Sequence, residues 1–225
     1  WEKQWDKVMR DGIKPINLAN ANIVFHPFPN SVIPKFGNDI NHQVGGCFAA
    51  QNEMNNFFEA RGQDYFKFIS KPDKSRTSCS RLSPYIAYGN LSMREVYQTL
   101  LKSWNKTGWR RSMAALSSRL HWHCHFIQKY ESEIEIEDLP INRGYKDFPY
   151  KVTNCEHQDF LAWAKGETGY PLIDASMRAL NKTGYLNFRM RAMVVSFACH
   201  YFMIHWKLVA RYLATLFLDF EPGIH

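Results

Sequence analysis

Gly166-Glu167-Thr168-Gly169-Tyr170-Pro171-Leu172-Ile173-Asp174-Ala175-Ser176-Met177-Arg178 joins a short helical run to a longer one. Upstream, Phe160, Leu161 and Trp163 mark a helix that ends near Gly166. Thr168-Gly169-Tyr170-Pro171 is turn chemistry, because glycine accepts backbone angles closed to other residues and proline fixes φ. The next helix begins near Leu172 to Asp174 and stops at Thr183-Gly184. The same alternation of helix and turn fills most of the chain. No strand-like alternation exceeds a few residues, so the fold class reads as all-α.

Downstream lies Asn187-Phe188-Arg189-Met190-Arg191. Two positions apart on a helix, Arg189 and Arg191 point about 200° away from each other. One faces inward, and an inward arginine among apolar residues needs an anion. Asp219 and Glu221 are the nearest acidic pair, so an Arg191–Asp219 ion pair is expected. An outward Arg189 suits a DNA phosphate. Residues 192 to 218 are densely apolar, but His200, His205, Lys207 and Arg211 interrupt them. That pattern means two packed core helices rather than a bilayer span.

Toward the N-terminus, a long helix is expected from about Ser112 to Tyr130. His121 and His125 share one of its faces, but no Glu follows His121 as HExxH requires, and no metal site is expected. Ser92-Met93-Arg94-Glu95 is a capping-box pattern ahead of Val96, Leu100, Leu101 and Trp104. Gly45-Gly46 opens a helix carrying Phe48, Met54, Phe57 and Phe58. The basic stretch from Lys71 to Arg81 is rich in Ser and Thr. It is either a solvated polar loop or a cradle for phosphate. Neither GxxxxGK[ST] nor GxGxxG occurs, so a P-loop or Rossmann nucleotide site is not supported. Residues 131 to 155 read as a loop. Residues 1 to 44, with Pro15, Pro27, Pro29, Pro34 and several Asn, read as an irregular linker. Both chain ends read as cuts inside a larger protein.

The composition is globular, with 45% apolar and 15% aromatic residues. Most aromatics belong in a core, leaving a minority to stack on a planar ligand or a base. A net charge of +7 fits a polyanion partner without naming one. The five cysteines (Cys47, Cys79, Cys124, Cys155 and Cys199) are odd in number and lack CxxC spacing. Neither a disulfide framework nor a zinc site is expected, but reduced, mostly buried thiols in a cytoplasmic protein.

Four stretches read together resemble the photolyase/cryptochrome family. Ser80-Arg81-Leu82-Ser83-Pro84-Tyr85-Ile86-Ala87-Tyr88-Gly89-Asn90-Leu91-Ser92 is similar to its TSxLSPYLxxGxLS signature. Gly166 to Arg178 resembles GxTGYPLVDAxMR. Thr183-Gly184-Tyr185-Leu186-Asn187-Phe188-Arg189-Met190-Arg191 resembles TGWMHNRxRM. Leu218-Asp219-Phe220-Glu221 falls where the family has LxDxD.

The resemblance implies a helical FAD-binding domain over 45–225, preceded by a linker from an α/β antenna domain whose pigment the sequence does not name. It implies light-driven splitting of pyrimidine dimers in UV-damaged DNA, or blue-light sensing without repair. A monomer with no membrane partner is expected. On the cofactor side it points to Tyr65, Ser80, Leu82 and Ser83, to the Arg191–Asp219 pair, and to Glu221 near the flavin edge. Trp122 matches the residue that stacks on a flipped-out dimer, and Arg189 a DNA contact. Trp206 matches the middle of an electron relay, with Trp163 also near the flavin. The chain departs from the family at several positions. Arg119 stands where dimer-repairing members carry a Glu that touches adenine and dimer. His123 replaces an Arg, and Phe188 replaces an Asn. His225 falls where a residue faces flavin N5. Thr153 stands where the surface Trp of the relay is expected, and the inner Trp lies beyond the last residue.

Overall fold

The computed structural model describes residues 2–13 and 42–224. His225 and residues 14–41 of the expected linker lie outside the described residues. Eleven α-helices account for most of the described chain, and among the described residues no strand forms.

The first core gathers Trp5 of the N-terminal segment and apolar residues between Ala49 and Cys124. Helices α2 (Cys47–Glu59), α6 (Met93–Ser103) and α7 (Arg110–Ser132) carry its apolar stripes. On α2 these are Ala50, Met54, Phe57 and Phe58, the spacing of one helical face. Val96, Tyr97 and Leu100 of α6 meet Met113, Leu116 and Leu120 of α7. Ser92 caps α6, its Oγ accepting the Glu95 amide at 3.0 Å. Short helices α3 (Tyr65–Phe68), α4 (Ser75–Ser78) and α5 (Ser83–Ala87) lie between α2 and α6. The stretch from Lys71 to Arg81, read as a loop, thus contains one helical turn, anchored by the buried Ser75, whose Oγ donates to Pro72 O at 3.2 Å.

The second core is built from α8 (Gln158–Lys165), α9 (Pro171–Thr183), α10 (Phe188–Ser196), a π-helical turn (Phe197–Tyr201) and α11 (Trp206–Leu216). The turn before α9 is closed by Asp174. Its carboxylate accepts from the Thr168 amide (2.8 Å) and hydroxyl (2.6 Å) and from the Gly169 amide (2.9 Å). Pro171 sits in the first helical turn, where its missing N–H has no intrahelical partner to lose.

Three expectations need correction. Residues 2–10 form a helix, α1 (Glu2–Arg10), where irregular chain was expected. The prolines that suggested irregularity begin only at Pro15. Trp5 of α1 is buried edge-on against Tyr97, and Tyr97 Oη donates to Asp6 at 2.9 Å. The loop over 131 to 155 contains two short 3-10 turns, Ile134–Glu137 and Arg143–Tyr145. Of the five thiols only Cys79 and Cys199 are buried, while Cys47 and Cys155 are exposed. Among the described residues no helix is long and apolar enough to cross a membrane.

Gly184 ends α9 at φ +64°, a left-handed conformation that L side chains rarely adopt. A Cβ there would stand 2.5 Å from Leu218 Cγ. Gly184→Ala is expected to destabilise the fold by about 1–3 kcal/mol in urea denaturation. An unchanged midpoint would refute this account of the turn.

Candidate functional site

Residues of both cores meet along α7, the loop from Cys79 to Ser83, the start of α10 and the segment after α11. Asn187 joins them. Its side chain caps α10 by accepting the Met190 amide (3.2 Å), and its Nδ2 donates to Ile69 O (3.2 Å) in the first core. Arg189 then points outward and is exposed, while Arg191 turns in. Arg191 Nε donates to Leu186 O at 2.8 Å, and Nη2 donates to both Asp219 oxygens at 3.0 and 2.8 Å. The guanidinium lies over the Phe217 ring, 4.2 Å from its centroid. Asp219 is only 5% exposed, so the ion pair anticipated from charge bookkeeping is a buried one.

Two residues on, Glu221 reaches α7. His123 Nε2 and Glu221 Oε2 are 2.7 Å apart. Gly223, at φ +87°, lets this segment lie flat on α7, since a Cβ there would be 2.7 Å from Tyr130 Cβ. Burial opposes a charge on His123, but Cys124 and the Glu221 carboxylate outweigh it and lift the imidazole to about 9. Its Nδ1 is buried with no hydrogen-bond partner among the described residues. Arg119, one turn earlier on α7, is exposed and lies 5.2 Å over the Phe188 ring.

The loop before α5 forms a third corner. Arg61 ties it to α2: its guanidinium donates to Cys79 O, Ser80 O (2.9 Å), the Glu53 carboxylate and Asn56 Oδ1 (2.7 Å). Arg81, at φ +60°, stacks on the buried Tyr185, between α9 and α10, at 3.7 Å. Burial pushes the Cys79 thiol up, opposed by Tyr185 and by the charges of Arg81, Arg61 and Arg119. The charges of three guanidiniums are thus felt at Cys79, next to the half-buried Ser80, whose carbonyl Arg61 holds. Tyr65 and Leu82 turn their side chains into the first core. Burial pushes the Tyr65 phenol up, and Arg119 pulls against it.

The tryptophans are spread out. Trp122 is half exposed on α7 and stacked on Phe126 at 5.5 Å. Trp163 is wholly inside the second core, its Nε1 donating to Val194 O at 3.1 Å. Trp206 is half-buried at the start of α11, stacked on His205. His121 and His125 part company, His121 against Trp5 and His125 against Trp122. Among the described residues no three His, Cys, Asp or Glu are grouped to hold a metal.

Residues 115–225 match the family model described as the FAD binding domain of DNA photolyase. Among curated relatives, the deoxyribodipyrimidine photo-lyase of Alkalihalophilus pseudofirmus is 32% identical over 149 residues, 66% of this chain and 30% of that protein. Cryptochrome DASH of Synechocystis is 34% identical over 148 residues, 63% of this chain and 28% of that protein. The crystal structure of a Synechocystis cryptochrome superposes with a TM-score of 0.75 at 28% identity, covering 91% of this chain and 43% of that one.

The chain belongs to the photolyase/cryptochrome family. It spans less than a third of the length of these two curated relatives. Within this photolyase/cryptochrome fold, the donor set of the junction fits FAD. Guanidiniums and hydroxyls suit a pyrophosphate, the Arg191–Asp219 pair offers a donor and an acceptor to a ring edge, and His123 Nδ1 is a buried polar atom still lacking a partner. Arg119, His123, Phe188, Arg191, Asp219 and Glu221 come together there, with Tyr65, Ser80, Leu82 and Ser83 on its loop side. Trp163 and Trp206 belong to the second core. His225 lies outside the described residues. Sequence reading missed Arg61, Tyr185 and Asn187. Asn187 carries a local N-cap signal ahead of α10, but its bond to Ile69, the Arg81–Tyr185 stacking and the Arg61 bonds to Cys79 and Ser80 join segments far apart in the chain.

Arg191→Ala leaves Asp219 buried without that cation and is expected to cost about 3–5 kcal/mol of stability. Urea denaturation measures it, and a loss below about 1 kcal/mol would contradict a buried, essential pair. His123 titrates at about 9 when folded against an ordinary value of 6.5. Its pairing therefore stabilises the fold in full below about pH 6.5 and is lost as pH rises toward 9. Relative to His123→Gln, the wild type is expected to lose on the order of 1–2 kcal/mol across that window. A pH-independent difference would refute it.

Proposed function

We propose that this chain forms the helical cup of a light-driven, FAD-dependent enzyme that splits pyrimidine dimers in UV-damaged DNA. One observation carries the reading: Trp122 offers a half-exposed indole on the same α7 surface as Arg119 and His123, beside the polar junction. FAD, when bound, supplies the light-driven electron that opens the dimer and takes it back afterwards.

The protein's part is binding and orientation. Ser80 and Ser83, within the field of Arg61, Arg81 and Arg119, hold the phosphates. Arg191 and Asp219 orient the ring. Exposed Arg189 and the net charge of +7 hold the DNA backbone, so binding weakens with salt. Trp122 stacks on the flipped-out lesion, exchanging lost base stacking for an aromatic face. Trp206 and Trp163 carry electrons toward the ring system. A second reading, blue-light sensing without repair, is favoured by Arg119, which places a cation over Phe188 where the repair enzymes carry a carboxylate.

The test uses flavin-loaded protein and an oligonucleotide with a cyclobutane thymine dimer, in light and in dark. Light-dependent repair is expected. Trp122→Ala is expected to weaken dimer binding by about 1–3 kcal/mol with an unchanged flavin spectrum. Flavin present without repair would support the sensor reading, and full repair by Trp122→Ala would remove Trp122 from the site.

A further inference from the structure

An unbroken line of aromatic rings runs from Trp206 to the surface. Trp206 stacks on His205, ring centroids 6.1 Å apart and planes at 21°. His205 lies 4.8 Å from Tyr150. Tyr150 lies 4.8 Å from Phe148, and Phe148 5.5 Å from the exposed Tyr145. The backbone fixes this line. Val152 and Ile204 form a parallel bridge, with Lys151 N donating to Met203 O at 2.9 Å and His205 N donating to Val152 O at 2.8 Å. The segment carrying Tyr150 is thereby pinned to the segment carrying His205 and Trp206. Thr153, where the resemblance places a surface indole, has no ring to offer, and Tyr150 stands three residues before it.

We propose that Tyr150 is the one-electron donor that restores Trp206 after the indole has been oxidised. This rests on the reading above that Trp206 passes an electron toward the photo-excited flavin, which is the oxidant. One electron then moves from the Tyr150 phenol to the indole radical cation through the intervening His205 ring. The phenol O–H bond breaks, its proton leaves to water, and a neutral tyrosyl radical remains beside a restored indole.

The surroundings favour this direction. Lys207 Nζ lies 5.8 Å from the Trp206 ring centroid, so a positive charge on the indole is disfavoured and moves on. Asp138, 2.8 Å from the same Nζ, moderates that effect. Burial and Lys207 lower the His205 pKa, so the ring between donor and acceptor tends to be uncharged. Burial, with Cys199 and Tyr145, pushes the Tyr150 phenol up, and it keeps its proton until oxidised. Tyr150 is only half-buried, and its hydroxyl has no hydrogen-bond partner among the described residues, so water can take the proton.

The test separates this step from flavin binding. In flavin-free full chain, azide radicals generated by pulse radiolysis oxidise indoles, and the decay of indole radical and growth of tyrosyl radical are followed. Tyr150→Phe keeps the ring and the fold, and is expected to lower the tyrosyl yield and slow indole decay several-fold. Trp206→Phe is expected to lower the yield to the same extent, and the double variant no further. Yield and rate unchanged in Tyr150→Phe would overturn the proposal, as would loss of the signal in Tyr145→Phe alone. In flavin-loaded protein, illumination is expected to give a tyrosyl signal in electron paramagnetic resonance that Tyr150→Phe removes. Transfer seen by radiolysis but not by illumination would support the Tyr150–Trp206 step while refuting Trp206 as a carrier to the flavin.

Discussion

The buried pair of Arg191 and Asp219 sets the geometry of the whole junction. A guanidinium taken from water is tolerable only when its charge and its donors are met. Here they are met by Asp219, by the Leu186 carbonyl and by the face of Phe217. Those partners lie before α10 and after α11, so one side chain fixes both segments. Asn187 ties the same helix start to Ile69 in the first core. With Asp219 held, Glu221 is delivered two residues later to His123 on α7. Without the pair, neither the loop before α10 nor the segment after α11 has a comparably strong reason to stay in place.

Local chemistry was legible in the sequence wherever a helix end has its own side-chain signal. Ser92 caps α6, Gly166 and Gly184 end α8 and α9 in left-handed conformation, and α7 runs close to its expected limits. The Arg191–Asp219 pairing was legible too, because a buried arginine demands an anion and few were available. What stayed hidden depends on contacts across the chain. Helix α1 was masked by the prolines that follow it, and its docking on Tyr97 has no local signature. Asn187 on Ile69, Arg81 on Tyr185 and Arg61 on Cys79 and Ser80 meet at separations that no periodicity reveals. The family pattern named Trp163 as a flavin-side residue. Its burial inside the second core follows from α8 and α9 packing face to face, which one helix cannot announce.

Substitutions at the junction change its hydrogen-bond character rather than its shape. A carboxylate offers only acceptors and a guanidinium only donors. Arg119, in place of the expected Glu, therefore inverts the pattern presented to a purine edge or a lesion. His123 in place of Arg keeps a cation near Glu221, but one whose charge ends at about pH 9. Arg61 and Arg191 are already paired with Glu53 and Asp219, so Arg81 and Arg119 supply the cationic charge that suits an anionic ligand. The phosphates of a dinucleotide answer that field directly, whereas the base-specific contacts of dimer repair do not depend on it. The geometry thus supports cofactor binding more firmly than the choice of lesion.

On the proposed function, recognition and electron transfer fall to different cores. Trp122 and Arg119 stand exposed on α7, a helix of the first core. Trp163, Trp206, His205 and Tyr150 belong to the second core or pack on it. The division has a physical basis. A residue that receives a flipped base must be reachable, and loses its function if covered. A residue that carries a radical must be shielded, because reagents in water quench it. Trp163 at 0% exposure and Trp122 at 50% mark these opposite demands. Tyr150 lies between the extremes, half-buried, where it touches the ring line on one side and can release a proton on the other. That placement is what a terminal donor requires, and a fully buried tyrosine of the second core could not meet it.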